Sequence, residues 1–582
     1  MKKKYLLTLS ALSLLMLAGC GTKQSSQPIS IDGTIYNTEI SVKEPESIDV
    51  SENTEEFSIT TSDGTYSNSN NIYTLSSAGT YTLSGKLAGQ ILVEASENDE
   101  VVIELNGVSI SYDQDSPIKA LSADKVEISA KKDTENMISD KRSAKTVDTD
   151  TLGEGAIYAK CDLKLKGSGT LVVTGNYNNG VHTSKDLTIQ KLTMKVTGYN
   201  NAIKGNNSVT ITSGTVQAYA KTGNGIKTED NDLSSSGKQK GTVAINGGSV
   251  YIDSLHDAID ASYDVVVDQT DTEVSTSVDI KTGKNSVYYS SAFQADSEKG
   301  LKAMNSITIN NGTVTIAASD DAIHANYGDA LGNGSKGLGN ITVTGGTIQV
   351  ASGDDGLHAD NTLSITGGKI VVTNATEGYE GNYINISGGY SYIYGTDDGV
   401  NCSKKSFSNC AFTMSDGYLD VAVKSGDTDG IDSNGNFTLS GGVIVTRGAP
   451  GTTGSGMSTG LDVDGTCSMT GGTLIAFNGL EKSPSTSSSV RYAGTSSSNS
   501  QGGPGGGFPG GGRGTSSSSV SLQAGNYTLN GNGIDISFVN DYAYGSFLIY
   551  SSNLTTGSTY TLARNNSTVL SWSQSSNSVT IS

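Results

Sequence analysis

The chain has 582 residues, with 73 Gly, 7 Pro, a single Trp and a formal charge of −21. It has room for several compact domains or one long solenoid, but too few bulky apolar residues for an ordinary globular enzyme. An acidic surface of this size argues against nucleic acid and anionic lipid headgroups as partners, since both need basic patches.

Met1-Lys2-Lys3-Lys4 and the apolar run to Leu17 form a secretion signal too short to anchor by itself. The run ends Leu17-Ala18-Gly19-Cys20, which resembles the bacterial lipobox and implies lipidation of Cys20. Residues 1–19 are read as the signal peptide and 20–56 as a tether, so the mature protein sits on the extracellular face of the bacterial membrane, held by its lipid. Loss of Lys2, Lys3 and Lys4 takes the formal charge from −21 to −24.

From residue 57 to 482 a phrase returns about every 22 residues: two acidic or amide residues, a small one, then an aliphatic pivot. The pivots are Ile157, Val181, Ile203, Ile226, Ile259, Leu301, Ile323, Leu357, Tyr379, Val400, Ile431 and Leu461. Alternating segments with Gly-Gly turns follow, as in Leu363-Ser-Ile-Thr-Gly-Gly-Lys-Ile-Val-Val372, and no stretch keeps a 3.6-residue period. The period predicts an all-β chain, a right-handed parallel β-helix whose pivots stack into one core. The strand-like segments Thr80–Gly85, Ile91–Glu94 and Val101–Leu105 lack the acidic phrase and are expected to start and cap the coil. Insertions at 228–240, 327–339, 403–411 and near 268–297 are expected to project from one side, after the pivot strands. The Gly/Ser/Pro-rich residues 483–519 read as a flexible loop, and 520–582 as a small C-terminal β segment.

The residue two before the pivot is Asn179, Asn201 and Asn224 in early turns, then Asp257 and Lys299, then Asp321, Asp355, Glu377, Asp398 and Asp429. Adjacent carboxylates at the strand spacing of roughly 4.8 Å repel by about 3.5 kcal/mol at an effective dielectric of about 20, and by about 1 kcal/mol in water. Splaying into water, proton uptake or a hard cation relieves this. Calcium, which takes six to eight oxygens, is the expected cofactor. The candidate ligands are Asp257, Asp260, Asp320, Asp321, Asp354, Asp355, Asp360, Glu377, Asp397, Asp398, Asp427, Asp429 and Asp432. The asparagines are expected to form an uncharged ladder.

His182, His324 and His358 share the position after the pivot; a stacked ladder is preferred to a metal site, because a metal needs convergent partners. Lys204, Lys227 and Lys302 also follow pivots, and a lyase would need such a base; they are read as ordinary surface lysines. Tyr390, Tyr392 and Tyr394 alternate on one strand face and form a carbohydrate-binding platform if that face points outward, or core if it points in. Cys161, Cys402, Cys410 and Cys467 have no zinc spacing; Cys402 and Cys410 either pair across a loop or, the preferred reading, are buried small hydrophobes like the others. Gly456-Met-Ser-Thr-Gly460 matches a nucleophile elbow only by composition.

Gly79-Thr-Tyr-Thr-Leu-Ser-Gly85, Leu105-Asn-Gly-Val-Ser-Ile110, Gly175-Asn-Tyr-Asn-Asn-Gly-Val-His182, the Asp-Asp-Gly/Ala phrases and the Gly/Pro loop near 504 give the chain its family likeness. Over roughly residues 60–580 it resembles the bacterial calcium-binding, carbohydrate-binding β-helix lipoproteins related to pectate lyases. The resemblance implies binding of cellulose or acidic pectic sugars without cleavage. A calcium-dependent polysaccharide lyase and a surface adhesin with a protein or cell-wall partner are the alternatives.

Overall fold

The computed structural model describes residues 40, 42–146, 151–292, 296–450, 458–495 and 521–581, and the backbone of 29–31 and 34–36. Cys20 and most of the Gly/Ser/Pro-rich segment lie outside the described residues. The chain is all-β; the one helical element among the described residues is a 3-10 turn at Gly283–Asn285.

The alternating segments are strands, and each pairs in parallel with the equivalent strand one coil on. Pivot strands make the first face: Ile203–Gly205 pairs back with Asn179–Thr183, and Ile323–Ala325 pairs forward with Leu357–Ile365. A second face runs through Ser306–Ile309 and Asn340–Val343, and a third through Thr313–Ala317, Thr347–Ala351 and Lys369–Ala375. Every pivot named above is at most 1% exposed. Each stacks on the pivots above and below it, so the core is continuous although no single coil could bury one.

The small residue before each pivot has a steric cause. A Cβ on Gly378 would stand 2.0 Å from a methyl of Ile393 and 2.7 Å from the carbonyl of Gly399 in the next coil. The Gly-Gly turn joins the second face to the third. In Gly367-Gly368, a Cβ on the first would meet the Thr344 carbonyl at 2.3 Å, and the second has φ +86°, a left-handed conformation that glycine adopts without strain.

Gly79–Ala88, Gln90–Glu94 and Glu100–Tyr112 continue the parallel pairing at the N-terminal end. Ser58–Thr61 closes that edge in antiparallel register with Gly79–Ala88. The segment expected to be a tether is in part held down: Val42 is buried, Gln217 donates to the Glu46 carbonyl (2.7 Å), and Asn53 Nδ2 donates to the Gly107 carbonyl (2.6 Å). It therefore runs along the third face.

The insertions at 228–240, 327–339 and 403–411 meet each other on one side. Gly332 N–H donates to Asn231 Oδ1 (2.8 Å), and Phe407 packs on Tyr327 with ring centroids 4.6 Å apart. The stretch near 268–297 differs from expectation. It contains a coil strand, Thr276–Thr282, so its extra residues fall at two other corners, 268–275 and 283–297. At the other end, Arg491–Gly494 lies in the sheet rather than in a flexible loop, paired antiparallel with Phe547–Ser551, which also pairs with the last coil strand Thr473–Phe477.

Gly525–Gly531, Ile534–Asn540, Thr559–Arg564 and Ser567–Ser573 form a four-stranded antiparallel sheet that packs through Tyr527, Phe538 and Trp572 on Val445, Ile475 and Phe477. Arg447 pins it in place. Its guanidinium pairs with Asp420, donates to Asn540 Oδ1 (2.7 Å) and to the Val539 carbonyl (2.8 Å), and is 1% exposed. Arg447→Ala strands the Asp420 carboxylate inside the interface and is expected to cost roughly 3–5 kcal/mol. Chemical unfolding and proteolysis of the C-terminal sheet measure the loss.

Candidate functional site

A backbone ladder sets the geometry of the acidic phrase. Two residues before a pivot, the side-chain oxygen in several coils accepts the backbone N–H at the same position one coil on: Asn201 from Asn224 (3.0 Å), Asp257 from Lys299 (2.8 Å), Asp321 from Asp355 (3.0 Å), Asp355 from Glu377 (3.2 Å) and Asp398 from Asp429 (2.7 Å); Asn224 Oδ1 is buried without such a bond, and Lys299 has no oxygen to offer. Asn201 Nδ2 also donates to Asn179 Oδ1 (2.8 Å), the uncharged ladder expected for the early turns. Amide and acid are interchangeable for this bond. They differ in what the second polar atom then meets.

The coils divide on that point. Asp257 is held by Lys302 (3.2 Å), and Asp260 by Lys227 (2.6 Å). Lys299 bridges Asp320 (2.9 Å) and Asp321 (2.5 Å). Asp321 also accepts from His324 Nδ1 (2.7 Å), and Asp355 from His358 Nδ1 (2.9 Å), so both oxygens of each are occupied. The imidazoles stack with centroids 4.3 Å apart and planes within 5°. Beyond them, Glu380 pairs with Lys405 (2.5 Å).

Burial opposes the charge on these groups, but their partners outweigh it for most. Asp321 and Asp360 are held well below the usual carboxylate range by the histidines. His358 is raised to about 10 by Asp355, Asp360 and Glu380. Asp355, buried and close to Glu377 and Glu380, is pushed up.

In the later coils the acids keep their ladder bonds, but among the described residues no lysine, arginine or histidine forms an ion pair with Asp398, Asp429, Asp432 or Asp462. Burial and the neighbouring acids push Asp398 up to about 7 and Asp429 to about 6. Among the described residues, the groups of metal-binding side chains whose ligand atoms lie within 4.8 Å of one another are Asp320/Asp321/Asp354, Asp354/Asp355/Glu377, Asp321/His324/His358 and Asp355/His358/Glu380. Asp397, Asp427 and the later acids form no such group. The first two groups offer oxygen alone and fit a hard cation; the last two include imidazole nitrogen and do not. Asn401 Oδ1, a carbonyl oxygen buried without a partner one coil before Asp432, is a further donor suited to calcium.

The three tyrosines lie on the strand Tyr379–Gly395 and project away from the main core, which Ile393 between them enters. They are not equivalent. Tyr390 is 38% exposed and stacks on Tyr418 (6.3 Å, 28°), its register partner one coil on. Tyr392 is 4% exposed, packed on Val371 close to the C-terminal unit, and Tyr394 is half-buried beside it. Beside Tyr390, the stacked turns Gly345-Gly346, Gly367-Gly368 and Gly389 floor an open trough of about 560 Å³, edged by Thr347 and Lys369. With no side chains on its floor, the trough exposes backbone beside an aromatic face. Tyr418 and the trough were missed in the sequence reading, although the recurring Gly-Gly pair and Tyr418 one coil after Tyr390 were visible there.

A model of the carbohydrate-binding domain-containing protein family matches residues 69–356 and 328–378, more than half of the chain. The chain belongs to this family. A carbohydrate-binding domain-containing protein of Acetivibrio thermocellus is 34% identical over 204 residues, which cover 35% of this chain and 65% of the relative. The chain thus spans just under two thirds of that relative's length. The solved structure of the polysaccharide lyase-like protein from C. thermocellum, a gadolinium derivative, is similar at 34% identity over 38% of this chain and 86% of that one, with a TM-score of 0.35. The family match ends at 378, so it takes in the trough up to Lys369 and the histidine coils but not Tyr390.

The raised carboxyls give a pH signature. A carboxyl whose folded pKa lies above its unfolded value of about 3.9 binds more protons in the fold, so stability falls as pH rises between about 4 and the folded value. In chelator, the chain is expected to melt higher at pH 5 than at pH 8. Buried His182, lowered to about 4, acts in the opposite sense below its ordinary value, so a variant comparison isolates the acids. Asp398→Asn with Asp429→Asn keeps the ladder acceptor, removes the charge and should raise the pH 8 melting temperature toward the pH 5 value. Calorimetry at the two pH values checks it.

Proposed function

We propose that this chain is a lipoprotein anchored through Cys20 on the outer face of the bacterial cell membrane, and that it binds polysaccharide, cellulose or acidic pectic sugar, without cleaving it. In this reading the coils form a right-handed parallel β-helix. The observation that carries it is the glycine-floored trough beside the exposed Tyr390, whose ring is backed by the half-buried Tyr418. An exposed aromatic ring next to a shallow glycine surface suits a sugar ring, which has apolar faces and polar edges. Membership of the carbohydrate-binding domain family supports the same partner.

Calcium is, in this reading, the counter-ion of the acids that no cation among the described residues pairs with: Asp354 and Glu377 first, where the oxygen-only groups are compact, then Asp398, Asp429, Asp432 and Asp462 with Asn401. Asp257, Asp260, Asp320 and Asp321 have lysine or histidine partners and are the weaker ligands. A binding role rather than lyase chemistry is supported by the lysines after the pivots. Lys204 pairs with Glu229 (2.7 Å), Lys227 with Asp260 and Lys302 with Asp257, and the pKa of Lys302, though burial opposes it, is raised by its acids. A base working at neutral pH needs the reverse.

The test is retention of the untagged mature protein on insoluble cellulose and on pectin. Retention is expected on at least one, and Tyr390→Ala should weaken it roughly tenfold, equivalent to about 1.4 kcal/mol of lost contact. Retention on neither glycan overturns the reading, and undiminished retention of the variant moves the site away from the trough. Sustained release of unsaturated product from polygalacturonate would make the protein a lyase. Chelation should lower the melting temperature at neutral pH and calcium should restore it; an unchanged melt removes calcium from the account.

A further inference from the structure

Histidine at a pivot+1 position is a metal ligand only where other donors converge on it, and the structure supplies that convergence in two adjacent coils and not in a third. His182 Nδ1 is buried without a hydrogen-bond partner, and its Nε2 meets only the Asn206 amide (3.1 Å). His324 and His358 are arranged otherwise. Each presents Nδ1 to the carboxylate three residues earlier, Asp321 (2.7 Å) or Asp355 (2.9 Å), and both Nε2 atoms face the same oxygen, Asp360 Oδ1, at 3.4 and 3.3 Å. His358 Nε2 also lies 3.3 Å from Glu380 Oε2.

We propose that His324, His358, Asp360 and Glu380 form a site for a divalent transition metal, zinc being the first choice, that clips three successive coils together. Ligand atoms about 2.0–2.1 Å from a tetrahedral ion stand roughly 3.3–3.4 Å from one another, the separation found between Asp360 Oδ1 and each Nε2 and between Glu380 Oε2 and His358 Nε2; the other pairs stand farther apart and close only as the rings turn. The outer contacts are those such sites use. A carboxylate on each Nδ1 fixes the ring and leaves Nε2 for the ion, while Asp360 Oδ2 accepts the Tyr327 backbone N–H (2.8 Å) and Glu380 Oε1 accepts from Ser403 (3.2 Å). Two imidazoles with two carboxylates suit zinc and are a poor set for calcium, which takes oxygen. The site is independent of the glycan trough, and it borders the oxygen-only groups through Asp355, which holds His358 Nδ1.

Without metal, the carboxylates face the imidazole nitrogens, and Lys405 pairs with Glu380. Loading replaces the Nε2 protons with the ion, releases them to solvent, frees Lys405 and turns both rings out of their parallel stack so that the nitrogen lone pairs converge. The side chains of His324, His358 and Asp360 retain 14%, 11% and 24% of their exposure, which gives the ion a way in.

The experiment uses the untagged mature protein, stripped with chelator and titrated with cobalt(II) and zinc(II) alone. One cobalt per chain with a visible tetrahedral absorption band, displaced by zinc but not by millimolar calcium, is expected, along with proton release and a higher melting temperature in zinc. His358→Gln and Asp360→Asn should abolish the band, Asp355→Asn should weaken zinc binding roughly 10–100-fold, and His182→Gln should leave both unchanged. No band in the folded wild-type protein overturns the proposal, as does a band that survives His358→Gln or disappears on addition of calcium. A variant that fails to fold leaves the wild-type spectrum and the calcium competition to decide.

Discussion

The coils are registered by a hydrogen bond from the backbone N–H two residues before a pivot to the side-chain oxygen at the same position one coil earlier. A buried N–H without a partner costs about 1–3 kcal/mol, so a short side chain with an oxygen is favoured at this position, although Lys299 and Glu377 also stand there. Asparagine and aspartate meet that need equally, and only the acid adds a charge. The stacked carboxylates are thus a by-product of a structural bond, and each coil has to neutralise them by other means.

That neutralisation divides the solenoid. Early coils avoid the problem with Asn179, Asn201 and Asn224. Middle coils carry their own cations in the column just after the pivot: Lys227 beside Asp260, Lys302 beside Asp257, His324 and His358 beside Asp321 and Asp355. Later coils put Asn401, Asp432 and Asp462 in that same column, where a cation would have to be. The column after the pivot, more than the acidic phrase itself, decides whether a coil is self-sufficient, open to a soft-ligand metal or dependent on a hard one.

Much of the architecture was legible in the sequence because its causes are local and repeat. The pivot, the small residue before it and the Gly-Gly turn each satisfy a contact with the next copy of themselves, so a period of about 22 residues reveals all three. Contacts between unlike parts left no periodic trace. Nothing near Tyr392 announces that a sheet formed 150 residues later lies against it, nor does the Val42–Asn53 stretch carry a mark of the third face on which it lies. The stretch near 268–297 read as one insertion because the coil strand inside it, Thr276–Thr282, follows a turn longer than the repeat allows.

The acids show the same limit more sharply. Sequence spacing placed them on one ladder, but which ones stay uncompensated depends on partners from neighbouring coils, and insertions of different lengths separate those partners in the chain: Lys302 from Asp257, Lys405 from Glu380. The histidines were discounted for want of convergent donors. Those donors are Asp360, in His358's own strand, and Glu380, one coil on in the same column, so the convergence exists only once the register is known. In a solenoid the chemistry is written down columns rather than along the chain, and a column becomes readable only after every insertion has been assigned to its corner.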